Sequence, residues 1–195
     1  MRCTVIWGIT IQMKGLIKVN KKRLSRILFF VSLMLFMFYE RRLQMLTGVE
    51  NILDMMLFYD LTIIKDFMLQ LGDRGKEMYL ILHRFDFLFI CSFGFMQFVL
   101  IKDKLKKLNL DIANWIFFIP VVSRGITDIL ENIILDITIM NIFNYNQLLA
   151  LFAYSMTFLK WVSLSLIIFE LIYLILKEKD ISLLNKKVRS SEVLN

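Results

Sequence analysis

Arg124, Asp128, Glu131, Asn132 and Asp136 recur at intervals of three and four, the spacing of one helix face. Ala153, Thr157 and Lys160 do the same further along, with Ser163 at the edge of that face. Earlier in the chain His83 and Asp86 share a face, while Arg84 points about 100° away from His83 at about 3.6 residues per turn. Acids set against a lysine can serve three kinds of chemistry. As ion pairs they fix the register of packed helices. As a chain of titratable groups they relay protons or ions. In an enzyme acting on lipid, one of them serves as general acid or base.

A metal site is the fourth candidate. His83 and Asp86, facing Asp128 and Glu131, would make an oxygen-rich set. Against it, the chain has a single histidine, and Lys160 competes for the same acids. The sequence therefore leads to no metal and no cofactor. It also lacks a glycine-rich phosphate loop, GxSxG, HExxH and a GxxxG helix-pairing motif.

These polar residues sit in the middle of long apolar stretches. Met78–Ile101 holds His83, Arg84 and Asp86; Ile112–Ile139 holds the acidic face; Leu148–Leu176 holds Thr157, Lys160 and Glu170. Each is long enough to cross a bilayer, which takes about 20 mostly apolar residues. Charges at that depth are costly and usually face one another or a wet cavity. Cys91 reads as a small packing residue within one of these runs, and no disulfide framework is expected.

Composition agrees. The 195 residues are 58% hydrophobic, with 18 Phe, 12 Met and one Pro, above the 45–50% of an average soluble domain. The net charge of +7 does not point to nucleic acid, because the basic residues flank the apolar runs instead of lining one surface. Lys14 to Arg26 precede the first run, Lys102 to Lys107 follow the second, and Lys177 to Arg189 follow the last. That is the pattern of the positive-inside rule.

The first run is the shortest. Ile27–Tyr39 must extend through Glu40, Arg41 and Arg42 to Leu46 to span, and it reads as an uncleaved signal anchor. Residues 47–77 are the largest polar segment. Within them Asp60 is an expected N-cap, Ile64, Phe67, Met68 and Leu71 recur at helical spacing, and Gly72 is a stop. Pro120 is expected to kink the long third run.

The expected fold is all-α: a transmembrane four-helix bundle with antiparallel neighbours and a short extracytoplasmic amphipathic helix. Spans cover about 27–46, 78–101, 112–139 and 148–176. The basic lead 1–26 and the polar tail 177–195 lie on the cytoplasmic side of the plasma membrane, and 47–77 lies outside. Counting down from the outer ends, Arg84, Asp86, Asp128, Glu131, Asn132, Thr157 and Lys160 all fall roughly 10–20 Å deep. They form the candidate site, a polar layer inside the bundle.

Three motifs carry a resemblance. Tyr79 with Arg84-Phe85-Asp86-Phe87-Leu88, then Asp128-Ile129-Leu130-Glu131-Asn132, then Thr157 with Lys160-Trp161 resemble, in order, a group of small four-helix bacterial integral membrane proteins of unknown function. The likeness covers about 72–165 and includes the Gly72–Tyr79 approach to the second helix. It implies that the polar layer is the group's common feature, and implies no reaction or ligand. This chain departs from the group in having few Ala and Pro residues, and His83 is not part of the pattern. The expected role is that of a structural or accessory membrane component. Its partners are the lipid bilayer and another membrane protein or a second copy of itself. A small transporter or proton pathway and an intramembrane lipid-modifying enzyme stand as alternatives.

Overall fold

A computed structural model describes residues 20–110, 115–140 and 146–192, with side chains up to 183. The lead up to residue 19, the start of the third apolar run at 112–114 and the link at 141–145 lie outside the described residues. Helix α1 is Lys21–Thr47, α2 is Leu61–Lys107, α3 is Ile119–Ile139 and α4 is Gln147–Glu192. Short 3-10 turns stand at Leu53–Met55 and Trp115–Phe118. No strand occurs among the described residues. Two of the helices, α2 and α4, are long and apolar enough to cross a membrane.

The ends of α1 follow from local chemistry. The Asn20 side chain accepts from the Lys22 amide, and Gly48 closes the helix with φ 71°, a left-handed conformation that costs glycine little. Asp60 accepts from the Ile63 amide and starts α2. Gly72 is the stop that the sequence predicts: with φ 59° and ψ −175° it breaks α2, and the chain resumes at once as a second helical stretch. Three residues on, a methyl group at Gly75 would lie 2.6 Å from Thr47 Cγ2. The end of α1 thus passes against α2 where only hydrogen fits.

Pro120 behaves differently from its expectation. It occupies the first turn of α3 after the Trp115–Phe118 turn, so it begins a helix and kinks none. A proline there loses no hydrogen bond, because first-turn amides have no intrahelical acceptor. Helix α4 continues through Glu192, well past the end of its apolar run.

Paired contacts fix the topology. Lys22 meets Asp103, Ser32 meets Ser92, Phe36 stacks on Phe89 and Tyr39 stacks on Phe85. As the number rises on α1 it falls on α2, so the two are antiparallel. Ser123 with Ser163, Asp128 with Lys160 and Glu131 with Thr157 give the same result for α3 and α4. His83 with Asp136 and Asp86 with Asn132 do so for α2 and α3. The four described helices run up and down in order. One end is rich in basic residues: Lys22 pairs with Asp103, while Lys104 and Lys107 both donate to Glu178.

The segment after α1 packs against the bundle. Val49, Ile52, Leu53, Asp54 and Tyr59 are buried, as are Ile64, Phe67, Met68 and Leu71 of the first α2 turns. All but Asp54 pack with Phe36, Leu43, Tyr79, Leu82, Leu135 and Ala153 in the larger apolar cluster. A second cluster of Ile101, Leu105, Val121, Ile167 and Leu174 closes the basic end. Between the two clusters lies the polar layer.

Candidate functional site

Helix α3 supplies the layer's backbone. Arg124, Asp128, Glu131 and Asn132 are buried, because the three-four spacing puts them on the face that meets α2 and α4. Helix α4 brings Thr157, Lys160 and Ser163 on its own buried stripe, continuous with Ala153 and Ile167. Helix α2 brings Tyr79, His83 and Asp86.

Lys160 is the hub. Its Nζ lies 2.5 Å from Glu131 Oε2 and 3.2 Å from Asp128 Oδ1, and donates to the Asp54 backbone carbonyl at 3.1 Å. Asp128 is shared: its Oδ2 lies 2.9 Å from Arg124 Nη2. The Arg124 guanidinium also sits 4.3 Å from the centre of the Phe93 ring. The other oxygen of Glu131, Oε1, accepts from the Thr157 hydroxyl at 2.5 Å and the Tyr59 hydroxyl at 3.2 Å. Asn132 donates to Asp86 Oδ2 at 2.6 Å.

A second group adjoins it through Asp54. Its Oδ1 accepts from the Tyr79 hydroxyl at 3.3 Å, and its Oδ2 lies 3.3 Å from His83 Nε2. The opposite ring nitrogen, His83 Nδ1, lies 2.5 Å from Asp136 Oδ1, whose side chain is one-third exposed. Burial alone pushes the Asp54 carboxyl up, but His83, Lys160 and the Tyr79 hydroxyl together outweigh it and hold the group below its usual range. Tyr59 moves the other way. Burial first, and then the charge of Glu131, push its hydroxyl well above the ordinary phenol value, so it stays a proton donor.

Beside the layer lies a cavity of about 180 Å³. Phe36, Phe89, Phe93 and Trp161 form its aromatic walls. Asp54, Asp86, Asp128, Arg124 and Lys160 face it from the layer. Met55 also lines it and is half-exposed, so the cavity reaches the surface there.

Six of the seven residues expected from the sequence meet in this layer: Asp86, Asp128, Glu131, Asn132, Thr157 and Lys160. Arg84 does not. It is exposed and takes part in no ion pair among the described residues. The buried face of α2 runs Tyr79, Leu82, His83, Asp86 and Ile90, and Arg84 falls on its far side. Arg124 supplies the buried guanidinium instead. Asp54 and Tyr59 were not legible as members, and Tyr79 stood only among the residues of the resemblance. The one signal for Asp54 is its position as a single charge within Ile52-Leu53-Asp54-Met55-Met56-Leu57, too apolar a run for an outlying loop. Among the described residues, no three His, Cys, Asp or Glu side chains converge as metal ligands.

Comparison of the chain with protein-family models, with curated proteins and with solved structures finds no match.

Proposed function

We propose that the chain is a multi-pass integral membrane protein of four spans with both termini on the cytoplasmic side of a bacterial plasma membrane. Its role there is that of a structural or accessory component. The observation behind this reading is an inverted distribution of polarity. The interior layer is charged, while Leu28, Phe30, Met34 and Phe38 on α1, and Leu151, Phe158, Leu166 and Phe169 on α4, are exposed. Apolar surface on that scale on a water-soluble chain would drive association; facing acyl chains it carries no such cost. Single cysteines introduced at Asp73 and Lys106 test the topology. In intact cells an impermeant thiol reagent should label the first and not the second. Labelling of Lys106→Cys alone would reverse the orientation, and labelling of both would end the four-span reading.

A second reading, a proton pathway, has one arrangement in its favour. Asp136, partly exposed, contacts His83, and His83 contacts buried Asp54, so an imidazole bridges two carboxylates as in a relay. Liposomes containing the chain would then take up protons on imposing a potential, and His83→Gln would abolish the uptake while leaving the fold intact. No uptake by the unaltered chain would dispose of this reading.

A further inference from the structure

Each cation of the layer is held by at least one carboxylate within 4 Å. Lys160 is held by Glu131 and Asp128, Arg124 by Asp128, and His83 by Asp54 and Asp136. Asp86 belongs to none of these pairs. Its partner is the neutral amide of Asn132. It is only 6% exposed, and it lines the cavity. A buried carboxylate without a cation is expensive, and it is satisfied by a proton or by a positive charge brought from outside.

The cavity walls suit the second solution. The Phe36 and Phe89 rings stack with centres 5.8 Å apart, and Phe89 and Phe93 stack at 5.5 Å. Trp161 adds a fourth ring to the wall. Ring faces attract cations, and rings combined with a carboxylate are the usual complement of an organic ammonium group. This wall already holds one cation in that way, the Arg124 guanidinium over Phe93. Arg124 is paired with Asp128, and Lys160 with Asp128 and Glu131, which offsets part of their repulsion for a further positive charge at Asp86. The volume sets the size. An apolar cavity of about 150 Å³ holds a benzene molecule, so about 180 Å³ takes an ammonium head and leaves an attached chain to exit past Met55.

We propose that this cavity binds the ammonium head of an amphiphilic amine, with Asp86 as its counter-ion and the Phe36, Phe89 and Trp161 rings as its cage. The inference uses the cavity alone, so a failure of the four-span topology would leave it standing. The test uses the full chain in non-ionic detergent with Trp7→Phe and Trp115→Phe, so that Trp161 reports on the cavity. Dodecyltrimethylammonium should change its fluorescence saturably, and dodecanol should bind at least tenfold more weakly. Asp86→Asn should weaken ammonium binding at least tenfold, and Lys106→Gln should leave it unchanged. Competition by lysophosphatidylethanolamine would assign the ammonium to a lipid headgroup, and its absence to a free amine. Equal binding of ammonium and alcohol by the unaltered cavity overturns the proposal, whether or not Asp86→Asn folds. So does unchanged affinity in a folded Asp86→Asn chain.

Discussion

Asp54 and His83 meet at 3.3 Å, although one lies on a 3-10 turn after α1 and the other deep in α2. The contact pulls the segment that follows α1 into the mouth of the bundle. It also joins the two halves of the polar layer, since the Asp54 carbonyl receives the Lys160 ammonium. A loop carboxylate thereby becomes part of the helix-packing interface.

The Lys160–Glu131 pair is the first quantity to measure. Removing one member of a buried ion pair leaves the other uncompensated and costs about 3–5 kcal/mol, whereas replacing both with neutral groups is often close to neutral. Lys160→Met alone should lower stability by about that much. Lys160→Met with Glu131→Gln should recover most of it, because the glutamine keeps an acceptor for Thr157 and Tyr59. Asp128 is the poorer choice of second site, since its loss strands Arg124. Unfolding in mixed micelles would report the difference. A double substitution as damaging as the sum of the two singles would show that the pair is not a closed unit.

The two arginines should separate cleanly. Arg84→Ala removes an exposed side chain and should change stability by no more than about 0.5 kcal/mol. Arg124→Ala removes a buried partner of Asp128 and the cation over Phe93, and should cost about 1–3 kcal/mol. The same unfolding measurement compares them. If Arg84→Ala proved the more damaging, the assignment of the buried face of α2 would be wrong.

Glu178 gives the basic end a pH dependence. Hydrogen bonds from Lys104 and Lys107 hold its carboxyl below the ordinary value of 4.5. A lowered folded-state pKa means that the contribution is present above the unfolded value and is lost as pH falls through the folded one. Stability should therefore decline below about pH 4.5, and Glu178→Gln should remove part of that slope by lowering stability at neutral pH while converging with the unaltered chain at acid pH. Melting temperatures between pH 3 and pH 7 test this, and an unaltered slope would show that the pairs seen at this end do not persist in solution.

Much of this protein was legible in the residues alone. Periodicity of three and four is set by helix geometry, so the buried faces of α3 and α4, with Asp128, Glu131, Asn132, Thr157 and Lys160, could be read without coordinates. The start of α2 at Asp60 and the apolar face from Ile64 to Leu71 were readable for the same reason, since caps and helix stripes are local. What folding alone decided depends on contacts between segments remote in sequence. Arg84 turns about 100° from His83, yet nothing near it says which side of α2 meets α3, so its place outside the layer is settled only when the helices pack. Nothing near Asp54 says that its loop will fold inward, because the groups that make its burial tolerable, Tyr79, His83 and Lys160, belong to other elements. Pro120 starts a helix or bends one according to where the preceding chain turns. Local rules settle which residues share a face; only the packed bundle settles which faces meet, because the free energy of burying a charge depends on the partner that arrives opposite it.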